Sequence, residues 1–278
     1  MKRALLLALP VILLIPGAAL AGFSVDMPVV TRVQGASTTF YTALTVTNDT
    51  GSATDVSFEY ISADYAIDAS GVLIAGLVGH GSFHTDDVIL YLSSQGFLTG
   101  SQAASTFGSL LLNFSNAAFT TGNEASAVAR IYNYQTAGQR PSIGFAYRGN
   151  VLHQNGTHTV SSVIRNTAGL NTGPDLSTNL GLENVGIDDT GAVDTTPVTI
   201  QLAFYDGATG NAIGGQPSYT LKPGQITQIN GAWTTFGLPA GTHEVLVVAT
   251  ETAGTAQIGL YVALKDNATN DVSLFFGQ

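Results

Sequence analysis

The stretch FYTALTVTN, residues 40–48, is answered far down the chain by LSTNLGLEN, residues 176–184. In the first, Leu44 and Val46 alternate with Thr45 and Thr47; in the second, Thr178, Leu180, Leu182 and Asn184 take the places of Thr42, Leu44, Val46 and Asn48. Alternation of period two marks a strand with one buried face. Meeting it twice predicts one β unit built twice. The next strands agree: Val56, Phe58 and Tyr60 alternate in DVSFEYIS, and Val198, Ile200 and Leu202 do so in PVTIQLAFYDG. A further echo links QTAGQRPSIGFAY, residues 135–147, with ETAGTAQIGLYVA, residues 251–263. It predicts that one hairpin closes each unit around the turns Thr136-Ala137-Gly138 and Thr252-Ala253-Gly254, with glycine supplying a positive φ. Gly144 and Gly259 then mark a bulge or a close backbone approach within a strand.

Each unit also holds one short helical pattern. HTDDVILYLSSQGF offers Asp86 as N-cap, Val88, Tyr91 and Leu92 at helical spacing, and Gly96 as the stop. INGAWTTFGL offers Asn230 as cap and Gly237 as the end. Turn signals at Asp206-Gly207, Gly214-Gly215 and Lys222-Pro223-Gly224 punctuate the second half. The expected fold is therefore all-β: two tandem β-sandwich domains, Ig-like or related, each with one short helix, over residues 22–150 and 151–278. The boundary falls in RGNVLHQNGTHTVSS, and ASGVLIAGLVGHGSF is an extra hairpin or packed loop of the first unit.

The amino terminus sets the expected location. Lys2 and Arg3 precede an apolar run broken by Pro10 and Pro16 and closed by Ala19-Leu20-Ala21, the pattern of a signal peptide over residues 1–21 cleaved before Gly22. No later apolar run has spanning length, so a secreted or cell-surface chain is expected, with no membrane span after cleavage. There is no cysteine, which excludes disulfide staples and a lipid anchor on Cys. The formal net charge of −10, with 9 Lys and Arg against 19 Asp and Glu, argues against nucleic acid and anionic membrane as partners.

The layout MPVVTRVQGASTTFYTALTVTN, AVARIYNY, STNLGLENVG, LAFYDGATGNAIG, LKPGQITQIN and VALKDNATNDVSLF resembles a family of uncharacterised exported tandem β-sandwich repeat proteins of soil bacteria. The resemblance spans nearly all of the chain beyond the signal. It implies an extracellular location and an accessory or surface role, and it brings no catalytic residues. GVLIAGLVGHGSFH departs from the family's pattern, so the first unit matches less closely.

The residues offer few chemical constellations. No Gly-x-Ser-x-Gly elbow, no thiol and no phosphate-binding glycine loop is present, and no enzyme is expected. His80, His84, Asp86 and Asp87 form the densest group that zinc could use, with Asp86 better spent as a helix cap. Asp188, Asp189 and Asp194 surround Gly191 in a loop whose oxygens suit calcium; solvated turn residues are the plainer reading, and no cofactor is expected beyond that ion. The candidate binding face is ARIYNY, where Arg130, Tyr132 and Tyr134 share one side of a strand, joined by Trp233. Sheet packing by the tyrosines is the competing reading. Sequons lie at Asn48, Asn113, Asn155 and Asn267. The expected function is a non-catalytic secreted or surface β protein with a structural or interaction role, its partner an extracellular polysaccharide or a surface protein. The alternatives are a pair of carbohydrate-binding modules, and a filament subunit that donates FSVDMPVV to a neighbour.

Overall fold

The computed structural model describes residues 23–34, 39–115, 125–133, 143–148, 150–151, 159–165, 176–189, 192–240, 242, 244–266 and 272–276. The signal segment, Thr136-Ala137-Gly138, Tyr134, His153, His158, His243 and the sequons at Asn155 and Asn267 lie outside them. The first half comprises β1 (Phe23–Gln34), β2 (Thr39–Thr47), β3 (Thr54–Ser62), β4 (Asp68–Leu77), β5 (Ser82–Thr85), α1 (Val88–Ser94), α2 (Gly100–Ala104), β6 (Thr106–Phe114), β7 (Ser126–Asn133), β8 (Ile143–Arg148) and β9 (Asn150–Val151). The second comprises β10 (Thr159–Arg165), β11 (Leu176–Asn184), β12 (Val198–Asp206), β13 (Ala212–Ile213), β14 (Ser218–Leu221), β15 (Ile226–Ile229), α3 (Ala232–Thr235), β16 (Glu244–Ala253), β17 (Ile258–Asp266) and β18 (Val272–Phe276).

The strands pair antiparallel, and the two halves pair them in the same way. In the first half the order is β4-β3-β6-β1-β2-β7-β8, with β5 added to β2 and β9 to β1. In the second half β10-β16-β12-β13, with β14 on β12, form one sheet and β15-β11-β17-β18 the other. Matching β1 to β10, β2 to β11, β3 to β12, β6 to β16, β7 to β17 and β8 to β18 reproduces every one of the shared pairings. One difference is that β1 runs on to pair with β2 through Arg32, Val33 and Gln34, which joins the first half into a single sheet. To reach both neighbours β1 bends at a register shift between Met27 and Val30, where Pro28 has no N–H to give to the ladder.

The matched positions of FYTALTVTN and LSTNLGLEN do the same work. Leu44, Val46, Leu180 and Leu182 are fully buried, Thr42 and Thr178 nearly so. Asn48 and Asn184, both at 0% exposure, close each loop beyond the strand. Asn48 Nδ2 donates to the carbonyls of Ser52, Leu77 and Val78, and its Oδ1 accepts from the N–H of Thr50. Asn184 Nδ2 donates to the carbonyls of Thr196 and Leu221, and its Oδ1 accepts from the N–H of Gly186. A sequon at Asn48 is thus sealed within the folded protein.

The hairpin expectation needs correction. Residues 135–147 connect β7 to β8, which do pair, but residues 251–263 connect β16 to β17, which belong to different sheets. The echo is one strand out of phase with the repeat. Gly254 still takes φ +116 where the chain changes sheet. No bulge falls at Gly259, whose backbone approaches so closely that a Cβ there would sit 3.0 Å from Glu183 Oε2.

The helices also differ from expectation. Among the described residues the first half carries two, not one: Thr99 opens α2 with a reciprocal capping box to Gln102. Asp87, rather than Asp86, caps α1, its carboxylate accepting from the N–H of Leu90 at 3.0 Å. Asn230 does not cap α3; Gly231, at φ 59, holds that position. Gly96 and Gly237 follow their helices with φ +82 and +61, as the stops required. The apolar extra stretch forms β4 and β5, which extend two different regions of the sheet.

Each half encloses a core, but the first core recruits Ile226, Tyr261 and Ala263 from the second half. β9, at the expected boundary between domains, pairs with β1 through Val25↔Val151 and Asp26↔Asn150.

Candidate functional site

The tyrosine row is built by cross-strand register. Arg32 on β1, Tyr41 on β2, Tyr132 on β7 and Gly144 on β8 lie side by side across four strands. The Tyr41 and Tyr132 rings are 5.8 Å apart; Arg32 lies over Tyr41 at 5.4 Å and Arg130 over Tyr132 at 5.9 Å. Arg32 is tied to Asp87 at 2.9 Å, and the Tyr132 hydroxyl donates to the Asp86 carbonyl at 2.7 Å. Tyr132 is only 5% exposed, while Arg130 stays at the surface. The row therefore covers the sheet; Tyr132 is not an open stacking platform. Trp233 is half-buried against the second core. Tyr134 lies outside the described residues.

The acidic loop also spends its oxygens locally. Asp188 Oδ1 accepts from the N–H of Ala192. Asp194 Oδ1 accepts from the backbone and hydroxyl of Thr196, and Oδ2 from the Thr255 hydroxyl. Burial pushes the Asp194 carboxyl up, but these hydrogen bonds outweigh it and hold the group below its ordinary range. Asp189 is exposed. His84 pairs with Asp86 at 3.1 Å and touches the Thr45 hydroxyl, whereas His80 sits in a turn with φ 55. Among the described residues no group of three or more His, Cys, Asp or Glu converges as a metal site.

A feature that sequence reasoning missed is the seam between the halves. The outward face of β3, β6 and β1 lies against the outward face of β15, β11 and β17. Leu111 packs with Val185 and Ile187 there, and Ser109 donates to the Gly224 carbonyl at 3.2 Å. A Cβ on Gly224 would fall 2.0 Å from Ile61 of the first half. Asp26 and Glu183, each 2% exposed, meet within this seam. Burial, then the Asp26 carboxylate beside it, push the Glu183 carboxyl well above its usual range. Two carboxyls this close and out of water cannot both ionise without a large repulsion, which favours a proton on one of them. Nothing in LGLEN distinguishes a Glu facing water from one facing another sheet.

A group whose folded pKa is raised binds protons more readily when folded. Its stabilising contribution is full below the ordinary value of 4.5 and is lost as the pH climbs through the folded value. Glu183→Gln keeps a donor for Asp26 and cannot ionise. Thermal melts should show this variant matching the parent near pH 4 and exceeding it at pH 7, with the gap opening as pH rises; parallel curves at all pH values would refute the buried protonated pair.

Beside the seam opens a cleft of about 450 Å³, lined from both halves by Glu59, Tyr65 and Asp68 and by Val193, Asp194 and Lys222. Burial, then Asp68, raise the Glu59 carboxyl above its usual range. The Lys222 ammonium stands 4.9 Å from the centre of the Tyr65 ring.

These features define a mostly β-stranded chain of several antiparallel sheets with few helices. No family model matches the chain, nor does any curated protein sequence. Among solved structures, a lectin from Pleurotus ostreatus in complex with GalNAc aligns at 9% identity over 91% of this chain and 85% of that chain, at a TM-score of 0.14, too low to carry an argument.

Proposed function

We propose that this chain is a non-catalytic secreted or cell-surface protein of two tandem β-sandwiches with a structural or interaction role. The observation that carries the reading is the use made of its reactive groups. Asp87 caps a helix and pairs with Arg32, Asp194 is held by two threonines, and Glu183 is sealed in the seam. These acids hold structure. The signal pattern at residues 1–21 supports export. Retention of the immobilised mature chain's native surface polymers or proteins, washed against a denatured control, tests the role. Specific retention supports it; hydrolysis of a retained polymer, or a monomer that retains nothing from its own surface and secretome, would overturn it.

A carbohydrate-binding role is a second reading, favoured by the cleft beside the seam. The strand-exchange reading has less support, because β1 is paired along both edges within its own chain.

A further inference from the structure

We infer that the cleft between the halves is a binding site for a neutral saccharide, formed by Tyr65, Glu59 and Asp68 of the first half with Lys222 and Val193 of the second. The inference deepens the interaction role proposed above by naming the partner's chemistry and the place where it binds.

Three observations converge there. First, the charged groups are placed but not used on one another. Glu59 and Asp68 are diagonal neighbours on β3 and β4, as the Ile61↔Asp68 and Glu59↔Ser70 register shows. Among the described residues neither carboxyl, nor the Lys222 ammonium, makes a hydrogen bond or ion pair. Two acceptors and a three-proton donor around one opening can receive and supply hydrogen bonds to adjacent hydroxyls. Second, the walls are apolar: Val193 is 65% exposed, and Pro197 and Pro223 complete that side. A pyranose offers C–H groups to such a wall while its hydroxyls face the polar side. Third, the backbone that carries Tyr65 and Lys222 is fixed by closed turns. Tyr65, at φ 59, sits in a turn where its N–H donates to the Ser62 carbonyl and Asp64 accepts from Ser62 and Ala66. Lys222 starts a turn closed through Gln225 and seated on Ile61 by Gly224. With the backbone already set, only side-chain freedom remains to be lost on binding.

The cleft's charge narrows the ligand further. Glu59, Asp68 and Asp194 outnumber Lys222, so sugars bearing phosphate, sulfate or uronate groups are disfavoured there relative to neutral ones.

The test uses the chain from Gly22 onward on an array of neutral, acidic and amine-bearing oligosaccharides, followed by calorimetry with the best neutral one. Lys222→Ala and Asp68→Asn, both at exposed positions, should leave the melting temperature unchanged and weaken binding by about tenfold each, as loss of a charge-assisted hydrogen bond would. Arg130→Ala should bind as the parent does. Neutral sugar binding that survives both cleft variants but falls with Arg130→Ala would overturn this site while keeping a carbohydrate-binding role. Binding confined to amine-bearing or acidic probes, or silence across the array, would overturn the saccharide inference. The interaction role would then stand or fall on the separate retention experiment with native surface material.

Discussion

A chain carrying Tyr261→Ala is expected to lose about 3–5 kcal/mol of folding stability, the cost of deleting a large buried aromatic side chain. Tyr261 is 1% exposed and belongs to the first core although its strand, β17, belongs to the second half. Its hydroxyl donates to Gln228 Oε1 at 2.9 Å, a bond that water can replace at the exposed Gln228, so the expected loss is that of the ring's packing. Burial, then the nearby Glu183, push its phenol above the usual range, as expected for a hydroxyl sealed from water. Because one ring contributes to packing on both sides, the loss should lower the stability of the whole chain rather than of its second half alone. Denaturant unfolding followed by tryptophan emission from Trp233 and by far-ultraviolet circular dichroism would check this. Coincident shifts of both signals are expected, and a change below about 1 kcal/mol would contradict the seam as described.

The second large effect falls at Gly181, directly opposite Tyr261 in the β11–β17 register. A Cβ built on Gly181 would lie 1.8 Å from Tyr261 Cε1 and 2.1 Å from Cζ. Alanine in place of a strand glycine ordinarily helps the unfolded chain lose less entropy. Here the aromatic ring occupies that volume and has no open space to move into, so Gly181→Ala should cost about 1–3 kcal/mol or more through overpacking. The two substitutions should also be strongly coupled. In a Tyr261→Ala background the added methyl finds room, and Gly181→Ala should become close to neutral; additive losses in the double-mutant cycle would show that the ring and glycine do not share that space.

The sequence carried the buried faces well and the connections poorly. Leu44, Val46, Leu180 and Leu182 are read correctly because alternation reports which side of a strand is apolar, whatever the strand pairs with. The Asn48 and Asn184 match was legible for the same reason, as part of a repeated pattern. The Thr-Ala-Gly echo misled because turn residues describe local backbone, while the choice of strand partner is non-local. Gly254 supports a change of direction equally well inside one sheet or between two. The capping box from Thr99 to Gln102 was present in the sequence as a Thr-x-x-Gln spacing and marks α2.

The candidate site was less legible still. Tyr132 belongs to a strand, as expected, yet the partners that cover it, Tyr41 and Arg32, come from other strands. Asp26, Ser109 and Glu183 occupy outward positions of their strands, where polar residues normally mean water. Only the stacking of one sheet face on another turns them into interior groups. The cleft depends on the same juxtaposition, since Tyr65 and Lys222 are far apart in the chain and meet across the seam.

The two copies of one strand topology share this seam, and it should make them unfold as a single cooperative body. Calorimetric unfolding of the chain from Gly22 onward at pH 5 is the decisive measurement. The expected result is one transition, with the calorimetric enthalpy equal to the van't Hoff enthalpy. Two separable transitions, with the second half melting independently of the first, would contradict it.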